Sequence, residues 1–240
     1  MKIGIVCEGI TDFHAINHYI GSALLKRGIK TEFVPLQPLP DNTSGGGWGH
    51  VFSWLEQNPP GSREQLFGRG LFANSKKFSS FDSIVIHIDT DIIPDQSFLN
   101  YIKAKNFTIG ATNTFDEKTS EANRIIDYFA QLNQCTPDQA KKHVSAPITE
   151  SSEAWCIAID PQFIGDAEGL CGQDLINAFG AALARFNKQI PKPSYGSINK
   201  KSKSREKYCQ STSTDVDRLK SCKQFVSLVD RLVLIAPQQV

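Results

Sequence analysis

Three carboxylates stand where a metal ion could be held. Glu8 closes the apolar run Ile3-Gly4-Ile5-Val6-Cys7, and Asp89 and Asp91 close the run Ile84-Val85-Ile86-His87-Ile88 about 80 residues later. In an open parallel sheet ligands bind beyond the carboxyl ends of the strands, so acidic residues at those ends are the first to weigh. If strand alternation continues through Asp91, the two aspartates face one side, about 6.5 to 7 Å apart. Clustered carboxylates repel unless a cation lies between them, and Mg²⁺ (or Mn²⁺) takes oxygen ligands while leaving positions for water and phosphate. An isolated Asp-x-Asp also occurs as plain capping after a strand. Glu8 at the end of an adjacent strand weighs against that reading here. His87 shares strand parity with Asp89 and could support the site, whereas His14 and His18 share a helical face and read as polar surface. No histidine stands in a nucleophile context, so Ser/His/Asp and Cys/His hydrolase chemistry has no motif behind it.

The elements that must position these groups follow from periodicity. Thr11 and Asp12 are helix-capping types after the first strand, and Phe13, Ile16, Ile20, Ala23 and Leu24 recur at helical spacing up to Lys26-Arg27-Gly28. A second strand over 29–36 completes a β-α-β unit. Residues 37–62, rich in Gly and Pro and holding Gly45-Gly46-Gly47-Trp48, read as a long mobile insertion with a short helix near 51–55. The three glycines have no following Gly-Lys-Ser/Thr and do not make a P-loop. The strongest strand is 83–88, β-branched and apolar, then a helix over 97–104, a strand over 107–111 and a helix over 120–132. Alternating strands and helices imply an α/β fold with a mainly parallel sheet flanked by helices. The rest reads as helical, over 137–144, 150–159, 174–186 and 216–234. The expected division is thus an α/β core at 1–135 and a helical C-terminal extension at 136–240 that carries a basic segment at 185–207.

Composition narrows the classes. The 240 residues are 40% hydrophobic and 21% charged, values of an ordinary globular chain that exclude collagen-like, coiled-coil and wholly disordered readings. The apolar runs are far shorter than the roughly 20 residues that cross a bilayer, and Glu8 interrupts the start of the chain before any secretory signal could form, so no membrane association and a cytoplasmic location are expected. The six cysteines lack CxxC pairing and read as reduced core thiols. The net charge of +1 conceals an asymmetry: residues 1–184 hold 14 Lys/Arg against 21 Asp/Glu, and residues 185–240 hold 12 against 4. Lys188, Lys192, Lys200, Lys201, Lys203, Arg205 and Lys207 form the densest stretch and are expected to bind nucleic acid through its phosphates. From Lys200 to Lys207 the neighbours are mostly Ser, Asn and Glu, so the segment is expected to lie wholly exposed.

Glu8-Gly9-Ile10-Thr11-Asp12 after one apolar strand, with Asp89-Thr90-Asp91 after a later one, resembles the paired motifs of the TOPRIM domain, a Mg²⁺-binding α/β fold of topoisomerases, primases and nucleases. Ser152-Glu153-Ala154-Trp155 and the later Cys222, Phe225 and Val229 extend the likeness to small TOPRIM-like proteins of the DUF4276 and RloB type and to the overcoming-lysogenization-defect (OLD) nucleases of bacterial defence. The resemblance implies that Glu8 is a metal ligand or general acid/base, that Asp89 and Asp91 are metal ligands, and that Asp12 supports them as a further candidate metal ligand. It further implies a second acidic pair, for which Glu150 and Glu153 are the candidates, and a catalytic lysine, for which Lys203 and Lys207 are.

The expected function is therefore a Mg²⁺-dependent nuclease acting in anti-phage or mobile-element defence, gated in one version by a partner ATPase. Two readings compete. One is a nucleic-acid-binding or sensor module with an inactive site. The other is a haloacid-dehalogenase-like phosphatase using the Asp-x-Asp, which leaves Glu8 without a role.

Overall fold

The computed structural model describes residues 1–38, 46–68, 80–148, 150–191 and 202–237. Four strands, β1 (Lys2–Val6), β2 (Glu32–Gln37), β3 (Ser83–Asp89) and β4 (His143–Ile148), pair in the order β2-β1-β3-β4, every pair parallel. The protein is an α/β fold with an open parallel sheet between helices, as the alternation of elements implied. The helices are α1 (Ile10–Ala15), α2 (Gly21–Lys26), α3 (Trp48–Gln57), α4 (Pro60–Leu66), α5 (Gln96–Ala104), α6 (Phe115–Phe129), α7 (Pro137–Lys142), α8 (Glu153–Ala158), α9 (Gly172–Phe186), α10 (Ser202–Thr212) and α11 (Lys223–Ile235). A π-helical segment, Ile16–Ile20, joins α1 to α2 without a break.

Strand parity divides the core in two. Ile3, Ile5, Cys7, Val85, Val144 and Ala146 pack with Tyr19, Trp155, Tyr208 and Leu228, on the face covered by α1, α2 and α8 to α11. Val6, Ile84, Ile86 and Ile88 pack with Phe52, Phe98 and Ile125, on the face covered by α3, α5 and α6. All seven residues of β3 are buried, as befits a strand covered on both faces.

Three expectations fail here. The segment 107–111 forms no strand: Phe107 and Ile109 pack against the second core, and the Gly110 N–H donates to Glu121 Oε1 at 3.0 Å, so a side chain accepts what a strand neighbour would have accepted. The helix expected over 137–144 stops at Lys142. Thr136 and Gln139 close a capping box at its start, and His143 turns out into β4. β4 tolerates Pro147 because, among the described residues, it is an edge strand with β3 as its one neighbour. The sheet therefore draws its fourth strand from the half expected to be helical, and a boundary at 135 would cut it.

Within the insertion, the described residues form α3 and the start of α4. The Gly47 N–H donates to Glu8 O at 2.8 Å, which sets the start of α3 beside the end of β1. Residues 39–45 of that insertion lie outside the described residues. Among the described residues no helix is long and apolar enough to cross a membrane.

Candidate metal centre

The parity that sorts the core also assembles the site. His87 and Asp89 follow Val85 on the face of β3 that α1 covers, and Asp12 lies in the first turn of α1. Asp12, His87 and Asp89, all buried, offer one ligand atom each within 4.8 Å of one another. Ser152, at the start of α8, donates its hydroxyl to Asp12 Oδ1 at 2.7 Å and fixes that carboxylate. Asp12, a candidate ligand from the sequence, thus lies within the cluster, and His87, expected to support the site, stands beside it with a possible ligand nitrogen.

The tautomer of His87 follows from its partner. Its Nδ1 lies 2.9 Å from Ala146 O, and a carbonyl only accepts, so Nδ1 carries a proton. Nε2 lies 3.2 Å from Asp89 Oδ1 and has no hydrogen-bond partner among the described residues, in a side chain with no exposure to solvent. In a neutral ring that nitrogen presents a lone pair toward a carboxylate, and a shared cation resolves the conflict. An imidazole fixed through one nitrogen by a backbone carbonyl, with the other aimed into carboxylates, is the usual posture of a metal-binding histidine.

Glu8 reaches the same point from β1. Its Oε1 accepts the Asp89 N–H at 3.0 Å, across 81 positions of sequence. Burial, then the carboxylates of Asp89 and Asp12, push the Glu8 carboxyl well above the ordinary range, a sign of negative charge gathered without a matching cation. The expected convergence of Glu8 with Asp89 is met.

Asp91 departs from the expectation. β3 ends at Asp89, and Thr90–Ile92 form a turn of 3₁₀ helix, so strand alternation no longer applies and Asp91 is exposed rather than paired in parity with Asp89. The turn is held to the loop after β4 by Glu150: its N–H donates to Thr90 Oγ1 at 2.8 Å and its O accepts the Asp91 N–H at 3.4 Å. Glu150 takes a left-handed backbone with φ of 57° to do so.

The second acidic pair is not assembled. Glu150 Oε1 bonds Lys118 Nζ of α6 at 2.7 Å, and Glu153 is buried in an ion pair with Arg205 of α10. Each carboxylate already has its cation, so neither joins the cluster. Arg205 corrects the reading of the basic segment. α10 buries Arg205, Tyr208 and Cys209 and exposes Lys203 and Lys207, so the stretch has an inner face, and Arg205 is a core cation with its guanidinium 4.4 Å from the centre of the Phe179 ring. The signal was present in Arg205, Tyr208 and Cys209 at i, i+3, i+4, masked by lysines on the other side. Lys188 is exposed beyond α9, whereas Lys192, Lys200 and Lys201 lie outside the described residues.

Lys118 is a basic group bonded to Glu150 that sequence reasoning missed; it lies near the start of the amphipathic α6, where only the position of Glu150 singles it out. The later motif residues are structural. Trp155 packs edge-on to Phe225 with ring centres 5.3 Å apart, and Glu168 accepts the N–H groups of Gln224 and Phe225 at the start of α11. Comparison of this chain with protein-family models, with curated proteins and with solved structures returns no match.

Proposed function

We propose that the protein is a metal-dependent phosphodiesterase of TOPRIM type that cleaves nucleic acid. The observation that carries this reading is the meeting of Asp12, His87 and Asp89 beside Glu8 at the carboxyl end of a parallel sheet, with His87 Nε2 aimed into the carboxylates. The donors fit a divalent cation. One imidazole among carboxylates shifts the preference from Mg²⁺, which takes oxygen, toward Mn²⁺. Asp12, His87 and Asp89 would hold a single ion, since Glu150 and Glu153 are each matched by a basic side chain of the protein.

A cation held by Asp12, His87 and Asp89 would supply Lewis-acid stabilisation of charge on a phosphoryl group and a more acidic water as nucleophile. The chain's own groups divide the remaining work. Glu8, with its affinity for a proton raised by burial and by Asp89 and Asp12, is placed to act as general acid/base. Ser152 orients Asp12, and Ala146 O holds the His87 ring. The exposed Lys203 and Lys207 offer charge to a phosphate backbone. The resemblance to small TOPRIM-like nucleases suggests a defence effector as the setting, with a partner ATPase as a means of gating.

The test is incubation of the full chain with single- and double-stranded DNA and RNA in Mn²⁺ or Mg²⁺. Cleavage that needs the metal and disappears in Asp89→Asn, with nucleic-acid retention intact, is the expected result. Cleavage that persists in Asp89→Asn, or none of any substrate with either metal, overturns the proposal.

A further inference from the structure

A second group of side chains of metal-ligating type lies outside this centre. His14 of α1, His18 of the π-helical segment and Glu206 of α10 each offer a ligand atom, all within 4.8 Å of one another. His14 is buried, His18 half-buried and Glu206 exposed, so the group runs from the interior to the surface where α10 packs on the helix leaving β1.

We propose that His14, His18 and Glu206 bind a divalent transition-metal ion, Zn²⁺ above others, and that this ion clips α10 to the helix leaving β1. Two imidazoles and one carboxylate are a donor set of zinc type, unlike the carboxylate-dominated centre at Asp89. Zinc held at about 2.0 to 2.1 Å in a tetrahedron needs donors about 3.4 Å apart, so the widest pair must close by at most about 1.4 Å. Closure of that size is within reach of side-chain rotation at the exposed Glu206 and the half-buried His18.

Two further features favour the site. Histidines at i and i+4 fall on one helix face, and here the chain widens into a π-helical turn over Ile16–Ile20 where His18 sits. Such turns are rare and concentrate at functional positions. Arg205 of α10, whose charge is felt at His14, is matched by Glu153 and so does not oppose a cation with its full charge. Three protein donors leave a fourth position for water. The consequence is mechanical: the clip would hold the helix that carries Arg205 against the helix that carries Asp12.

The experiment uses the full chain stripped of metal, with ZnCl₂ followed by calorimetry and thermal melting, and CoCl₂ followed by visible absorption. In the Asp89→Asn background one Zn²⁺ per chain is expected at this site, with a melting rise of about 5 to 10 °C at a hundredfold excess over Kd. Co²⁺ should give the intense visible bands of a four-coordinate site. His18→Gln and Glu206→Gln, both at positions open to solvent, should each weaken Zn²⁺ by at least tenfold and remove the Co²⁺ bands. Asp89→Asn should leave both intact, which separates this site from the other centre. Zn²⁺ binding that is unchanged in both His18→Gln and Glu206→Gln places the ion elsewhere, on cysteines or at the Asp89 centre, and overturns the proposal. So does a wild-type chain with neither the melting shift nor the Co²⁺ absorption.

Discussion

His87 Nε2 faces Asp89 Oδ1 at 3.2 Å while the opposite ring nitrogen donates to Ala146 O, so the ring is locked with its second nitrogen against a carboxylate. Two chemical states satisfy that arrangement. Either Nε2 is protonated and the pair is an imidazolium with a carboxylate, or Nε2 is a lone-pair donor to a cation that Asp89 shares.

The two states give opposite results when the ring is replaced. His87→Gln removes a nitrogen ligand from a metal site, and should weaken Mn²⁺ at least tenfold while changing Mg²⁺ affinity much less, because Mg²⁺ gains little from imidazole. Mn²⁺ binding followed by electron paramagnetic resonance checks this without any substrate. Equal affinity in variant and wild type would make His87 the counter-ion of Asp89 and remove it from the metal's donors.

Glu8 sets a pH dependence with a definite sign. Its carboxyl is raised by burial and then by Asp89 and Asp12, so the folded protein keeps this proton to higher pH than the unfolded chain does. Stability contributed by the group is therefore full below the ordinary glutamate value of about 4.3 and is lost as pH rises toward the folded value. Glu8→Gln keeps an oxygen able to accept the Asp89 N–H but cannot ionise. Without metal, the variant should melt higher than wild type at neutral pH, and the gap should close at about pH 4. The same variant should reduce the protons released on Mn²⁺ binding, measured by calorimetry in two buffers of different ionisation enthalpy. A variant that melts lower at neutral pH would show that Glu8 is not held in a surplus of negative charge.

How far the sequence discloses this site depends on whether a residue's position follows from a local pattern. Glu8 and Asp89 end apolar runs, and the rule that parallel strands carry their ligands at the carboxyl end is enough to bring them together. Asp91 falls elsewhere because alternation ends with the strand, and nothing in Asp-Thr-Asp marks where pairing with β4 stops. β4 does leave a mark in the sequence, since Val144, Ala146 and Ile148 alternate with His143, Ser145 and Pro147 and enter the first core. The run is short, follows directly on α7 and holds a proline, so the alternation is easily passed over. Glu150 and Glu153 sit one helical turn apart in sequence, yet each turns to a different cation, Lys118 or Arg205, that only the tertiary packing brings near.

His143 offers a check on the sheet edge independent of the metal. Arg63, fully buried, donates from Nε to His143 Nε2 at 2.9 Å, and His143 Nδ1 lies 2.8 Å from Gln139 O, so the ring is neutral with its proton on Nδ1. Burial, then the Arg63 charge, bring its pKa down to about 4. A depressed histidine contributes stability that is whole above the unfolded value of about 6.5 and is lost as pH falls toward 4, by about 3 kcal/mol at most. Denaturant unfolding between about pH 7 and pH 4 should show this slope in wild type and a flatter one in His143→Gln, which retains an acceptor for Arg63. Parallel slopes would mean that the ring titrates normally.

The basic helix α10 should answer differently on its two faces. Arg205→Gln leaves Glu153 buried with its cation removed, and loss of one partner of such a pair costs about 3 to 5 kcal/mol. Lys203 and Lys207 are exposed, so replacing either by Gln should change stability by about 0.5 kcal/mol or less. Nucleic-acid binding reverses the order. Each phosphate that Lys203 or Lys207 no longer neutralises should lower the salt slope by about 0.9 on duplex or about 0.7 on single strands. Denaturant unfolding and binding at several salt concentrations, run on the Lys203/Lys207 double variant and on Arg205→Gln, separate the two roles. An Arg205→Gln protein as stable as wild type, with a reduced salt slope, would return Arg205 to the surface. A double-lysine variant with an unchanged slope would take the outer face of α10 off the path of the nucleic acid.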